Sequence, residues 1–365
     1  MNELLYQISI TLINGVGVVQ AKQLIEHFGT AENIFKAKKK ELSLIENIGE
    51  IRAKQIKDFN NFKEAEDEIS FCEKHHIKPL FITDKNYPQR LLNCYDSPTL
   101  LYYRGNANLN NSKIISIIGT RNNTDYGRKI TEQIVEELSS QDIVIVSGLA
   151  FGIDAIAHKK SVQLNIPTIG VLAHGLNSIY PSQHKNLATE MLLNGGLLTE
   201  FTQNVKADKH HFPRRNRIVA GIADATIVIE TASKGGSMIT AELAYNYNRD
   251  VFAVPGKITD AKSSGCLQLI EQNKAVIFTS AERFLFEMGW SELKKSLPKK
   301  QRELFIELND DEKIITQLLE KKETVHIDEL YLKSNLSSSS VAAAILNLEL
   351  QNIITSLPGK MYSLA

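Results

Sequence analysis

Arg214, Arg215 and Arg217 fall within four positions in the stretch HHFPRRNRIVAG, His210 to Gly221. A guanidinium fork matches the oxygens of phosphate or carboxylate two at a time, so the cluster reads as an anion site. Asp208 is the only acid close by in sequence, which leaves most of this charge without a local partner. Pro213 is expected to fix the backbone ahead of the arginines, and Asn216 to cap the helix that follows. Phe212, with His210 and His211, offers flat surface for stacking bases. A second anion signal is IETASKGGSMITAEL, where Gly235, Gly236 and Ser237 stand between a strand and a helix beside Lys234. Backbone N–H groups and a hydroxyl at a helix N-terminus suit an anion. Gly119 with Arg121, and Gly148 with Gly152, punctuate two further strand ends. One phosphate does not need so many cations. Several in a row do.

Other chemistries fit poorly. The glycines do not form a GxGxxG fingerprint, and the second strand of this region ends without the lone acid that would hold a ribose, which argues against a nicotinamide dehydrogenase. Asp154 and His158 lie four apart in GIDAIAH and share a helical face. Neither Ser147 nor Ser237 has the context of a nucleophile, so a buried aspartate and a histidine packed on the sheet is the simpler reading. No catalytic residue is expected. His174 and His184 lack metal-ligand spacing, and Cys72, Cys94 and Cys266 lie far apart with no CxxC pair. Neither zinc, a disulfide framework nor any other cofactor is expected. Lys plus Arg and Asp plus Glu both total 42, so a polyanion site has to be local. No apolar run approaches the roughly 20 residues that span a bilayer. The opening MNELLYQISITLING lacks the pattern of a signal peptide, and the expectation is a cytoplasmic protein without membrane contact.

The elements that must position these residues follow from pattern. At 365 residues, several domains are expected. Residues 1–65 read as helical, with LINGVGVVQAKQLIEHFG and LIENIGEIRAKQIKDF forming a weak repeat of the helix–hairpin–helix type. Residues 66–111 read as a connector, irregular apart from strand in PTLLYYRG. Over residues 112–290, apolar β-branched runs ending in glycine or a small polar residue alternate with helical patterns. That is the signature of a parallel sheet covered on both faces, a Rossmann-like, doubly wound α/β domain. Residues 291–309 read as a charged linker. Residues 310–365 give three helices and a hairpin with Pro358-Gly359 at its turn, a small winged helix. Its third helix, SSSSVAAAILNLELQN, contains no Lys or Arg, which favours a regulatory or protein-contact role over reading duplex DNA.

Taken together, GTRNNTDYG, VSGLAFGIDAIAH, GLNSIYPSQHKNLA, GGLLTEF, FPRRNRIVAG, ETASKGGSMITAELA and DVFAVPG resemble the DNA-processing protein A family, also called Smf. The resemblance covers the α/β region almost completely, and the helical start and winged-helix end match the family's three-part arrangement. It implies a non-enzymatic protein that binds and protects single-stranded DNA during natural transformation and loads the RecA recombinase onto it. It also implies a homodimer formed through the Rossmann-like domain. Residue by residue, Arg121 matches a DNA-contacting arginine, Arg214, Arg215 and Arg217 match arginines lining one basic pocket, and Lys234 matches a basic position beside the Gly-Gly-Ser loop. Ser182 and Gln183 stand where relatives often carry basic residues, with Lys185 as the nearby cation. The alternative is a nucleotide-binding or nucleotide-hydrolysing enzyme of a related Rossmann-like group. Such enzymes carry PGGxGTxxE where this chain has SKGGSMITAEL, with Glu242 near the expected acid.

Overall fold

The structure is a computed structural model that describes residues 3–291 and 308–364, less 321, 323, 352, 358 and 359. It divides into two compact units, residues 1–293 and 294–365.

The first unit is built on a nine-stranded sheet: β1 (Lys78–Phe81), β2 (Leu100–Gly105), β3 (Ile114–Ile118), β4 (Val144–Ser147), β5 (Thr168–Val171), β6 (Gly195–Thr199), β7 (Ala225–Val228), β8 (Asp250–Ala253) and β9 (Val276–Ile277). Their spatial order is β1-β2-β6-β5-β4-β3-β7-β8-β9. The seven strands from β6 to β9 run parallel, while β1 and β2 add antiparallel at one edge. Alternation of side chains shows why the runs are apolar throughout. Ile114 and Ile118 of β3 face one core with Val146, Val228 and Ile218. Ile115 and Ile117 face the other with Ile145, Ile134 and Phe284.

The chain runs outward from β3 through β4 and β5 to β6, then returns across the sheet to β7 on the other side of β3. The helices that follow β3 and β4, Asp125–Glu137 and Ile153–Gln163, pack on one face; His211–Ile222 and Gly236–Asn246, which follow β6 and β7, pack on the other. Loops after β3 and β7 therefore diverge and open a crevice at the carboxyl ends of the strands.

Residues 66–111 differ from the expectation of an irregular connector. They complete a helix (Phe62–Lys74), supply β1 and β2, and add a short helix, Gln89–Leu92. β2 falls in PTLLYYRG, where a strand was expected, whereas β1 is short and Pro79 masks its pattern; it sits on the sheet edge, where proline is tolerated. Arg90 clamps this segment to the domain by an ion pair with Asp224, 2.6 Å from Nε to Oδ1. The six N-terminal helices share the first core, through residues such as Ile8, Leu24, Ile34 and Ile56. The two repeat turns are tied to each other: Arg52 donates from Nε to the Gly15 carbonyl (2.9 Å) and from a terminal nitrogen to that of Asn47 (3.0 Å).

In the second unit, helices Asp310–Glu320, Ile327–Ser334 and Ser338–Leu350 pack with the strands Val325–His326, Ile354–Leu357 and Met361–Leu364 around their own core. Ser337 caps the third helix, accepting from the Ser340 N–H at 3.1 Å. The Pro358-Gly359 turn and most of the 291–309 linker lie outside the described residues. Among the described residues, no helix is long and apolar enough to cross a membrane.

Candidate functional site

The crevice beside β3 holds a cleft of about 1030 Å³. Its walls come from the loops after β3, β4, β5, β6 and β7, the edge at which an open α/β sheet binds ligands. Arg121, Lys209, Arg215 and Lys234 line it, together with Asp154, Asp208 and Glu242.

Arg121 is exposed on the loop after β3, and its guanidinium lies over the Phe212 ring at 5.3 Å. The Tyr180 ring packs against the same Phe212 at 5.8 Å. Tyr180 is itself held from beneath. The buried His174 donates from Nδ1 to the Gly175 carbonyl (2.8 Å) and accepts the Tyr180 N–H on Nε2 (3.2 Å). Burial keeps the His174 pKa below its ordinary value, which preserves the neutral ring this arrangement needs.

The helix of the three arginines begins earlier than the sequence suggested. It runs His211–Ile222, so Pro213 sits in its first turn and Asn216 lies inside it. Asn216 caps nothing. Its amide donates to the Gly236 carbonyl at 3.2 Å and ties this helix to the Gly-Gly-Ser loop.

Helical spacing then separates the arginines by direction. Arg215 is buried under the cleft, donating to the carbonyls of Gly148 and Val171. Desolvation lowers its pKa to about 10, opposed by the neighbouring Asp154 carboxylate, so the guanidinium remains charged at neutral pH. Arg217 is not at the cleft: it pairs with Glu200 at 2.5 Å and donates to the Asp96 carbonyl. Arg214 is exposed but outside the lining, 3.3 Å from Glu200 and over the Phe201 ring at 5.2 Å. Glu200, at the end of β6, is thus the partner that no nearby acid supplied. It is distant in sequence yet adjacent across the β6 crossover. Lys185 is exposed and also outside the lining.

The glycines divide in the same way. A side chain at Gly148 would start 2.6 Å from the Arg215 guanidinium, and one at Gly119 2.5 Å from Ile153. Gly152, at φ +77°, passes against the Thr120 carbonyl. All three are held by close packing within the protein, and Gly119 and Gly148 also line the cleft while Gly152 does not. Gly235 meets no atom within 4 Å, and Gly236 only Asn216 at 3.9 Å. Together they leave the N-terminus of helix Gly236–Asn246 open to a ligand, and its first N–H groups have no intrahelical partner. Ser237 spends its hydroxyl proton on Thr231, 2.7 Å away.

Asp154 and His158 are structural. Asp154 accepts the N–H of Gly148 (3.0 Å), and burial raises its pKa. His158 is fully buried, with Nδ1 2.7 Å from the Thr168 hydroxyl. That hydroxyl donates to the Ile145 carbonyl, so Nδ1 carries the ring proton. The three cysteines are buried and unpaired, and no cluster of metal-ligating side chains occurs among the described residues.

Sequence alone assigns no role to Lys209, Tyr180 or Glu230, and it raises His174 only as a metal ligand. Glu230 closes the ATIVIE run, and an acid ending a wholly apolar strand was the available signal.

A cleft placed at the strand switch and walled by these motifs invites comparison with known proteins. The family profile described as DNA recombination-mediator protein A matches residues 78–289. The chain belongs to that family. Two further profiles, a helix-hairpin-helix motif and a winged-helix domain of the same family, match residues 9–69 and 300–360. A relative, Protein Smf of Synechocystis, is 32% identical over 99% of this chain and 98% of its own. The crystal structure of DNA processing protein A from Streptococcus pneumoniae superposes with a TM-score of 0.64 at 32% identity, over 79% of this chain and 98% of that one. The Helicobacter pylori protein, whose structure is described as giving insights into a single-stranded DNA binding mode, superposes at 0.53 and 30% identity, over 58% and 95%.

Proposed function

We propose that this chain binds single-stranded DNA along the cleft at the β3–β7 switch, without catalysing a reaction. The observation that carries this reading is the Arg121–Phe212 pair, an exposed cation over an aromatic face, with the tilted Tyr180 ring packed against the same Phe212. A strand offers that combination its phosphate and its base at once, and the recognition needs no sequence preference. Lys209, Lys234 and the open Gly235-Gly236 turn extend the anion surface, and buried Arg215 adds charge from below. Membership of a family of recombination mediators, and a single-strand-binding relative, support the same reading. In the cell the protein protects incoming DNA in the cytoplasm and hands it to RecA during natural transformation, as a homodimer formed through the Rossmann-like domain. The test is direct. Arg121→Glu is expected to abolish most of the affinity for an oligo-dT strand while the protein stays folded; a folded variant of unchanged affinity removes Arg121 from the site.

A further inference from the structure

Resting on the single-strand reading above, we infer that Glu230 and Thr124 form a clamp that sets the position of Arg121. Glu230 lies two residues beyond β7 and is 1% exposed, yet among the described residues it forms no ion pair. Its hydrogen bonds go to the neighbouring loop, residues 119–124, that carries Arg121. The Glu230 carbonyl accepts the Thr120 N–H at 2.7 Å, just before the arginine. Its carboxylate accepts both the N–H of Thr124, at 2.9 Å, and the Thr124 hydroxyl, three residues after it. The same hydroxyl accepts the Gly127 N–H at 3.0 Å, so the clamp also caps helix Asp125–Glu137. Gly127 fits its place for this reason: a Cβ there would lie 2.3 Å from the Glu230 carboxylate.

The negative charge faces the positive end of that helix, which stabilises it there. From the β4 side, the Thr120 carbonyl accepts the Ile153 N–H at 3.3 Å. The loop is therefore fixed at both ends, and only the segment bearing Arg121 projects. A guanidinium on a free loop would lose rotational freedom on meeting a phosphate; held over Phe212 by a clamped backbone, it has already lost much of it. Glu230 and Thr124 are positioning residues, acting through Arg121 without touching the strand.

A double-mutant cycle on the full chain separates this from general damage, with oligo-dT as the probe and thermal unfolding as the check on folding. Thr124→Val, which keeps the shape but deletes the hydroxyl, is expected to weaken binding roughly tenfold, the size of one hydrogen bond to a charged group. Glu230→Gln shows a loss in the same direction, and Thr124→Ser recovers most of the affinity. In an Arg121→Ala background, Thr124→Val costs almost nothing further. Additive losses in the double variant overturn the clamp, as does full affinity in Thr124→Val. If the unaltered protein binds the strand but Arg121→Ala does not weaken it, the clamp falls while the single-strand reading stands. If the unaltered protein binds no strand, that reading falls first and takes the clamp with it.

Discussion

Three arginines within one helical turn end in three different environments, which shows how little a cluster in sequence says about where each charge points. Only Arg215 reaches the cleft, from below, while Arg217 is used on Glu200 and Asp96. Arg217→Ala should therefore act first on stability. Leaving the buried Glu200 without its closest partner costs about 3 kcal/mol or more. The lowered unfolding midpoint should exceed any change in strand affinity, measured under conditions where the variant is folded. The glycine beside Arg215 makes a sharper test. Gly148→Ala would push a methyl group into the guanidinium, and a loss of about 1–3 kcal/mol is expected in denaturant unfolding. His158 contributes a pH dependence, and His174, whose pKa burial also lowers, acts in the same sense. Burial lowers the His158 pKa from 6.5 to about 3, so between those values the unfolded chain binds a proton that the folded one refuses. Stability accordingly falls as pH drops from about 6.5, whereas Asp154, whose pKa is raised, acts in the opposite sense. His158→Leu should shrink the stability difference between pH 7 and pH 5 by about 2 kcal/mol. An unchanged pH profile would show that His158 is not the group responsible.

At the scale of elements, the parallel strands were legible because burial on both faces leaves no polar alternation to confuse them. KIISIIG, IVIVSG and ATIVIE each became a strand within a residue or two of the run. β1 was not legible, being four residues long with a proline inside it. The helix carrying FPRRNR was misplaced by its start, since Pro213 signals a first turn as readily as a break. With the helix starting earlier, Asn216 falls inside it and links two elements where a cap was expected. At the cleft, Arg121, Phe212 and the Gly-Gly-Ser loop were visible because their types carry the chemistry. Tyr180, His174 and Glu230 were not, because their roles exist only once loops distant in sequence meet. The Phe212 platform is the element-scale prediction: Phe212→Ala should cost about 1–3 kcal/mol of strand affinity, with a largely unchanged salt dependence. A loss that disappears at high salt would instead mark the ring as a mere support for Arg121.

At the scale of the whole molecule, equal numbers of acids and bases mean that any anion surface has to be local. The winged helix adds no cation through its third helix, which exposes Leu346 and Leu350 instead. Removing residues 310–365 is expected to leave oligo-dT affinity within about twofold, because phosphate contacts dominate such binding and this helix supplies none. On the proposed function, the strand binds at the switch-point cleft through a few exposed cations, Arg121, Lys209 and Lys234. Titrating a fluorescent oligo-dT at several salt concentrations, against the matching duplex, tests it most directly. Three neutralised phosphates predict a slope of log affinity against log salt near −2 per site, a clear preference for the single strand, and a shallower slope in Arg121→Ala. Equal affinity for the duplex, or a slope untouched by Arg121→Ala, would contradict the account.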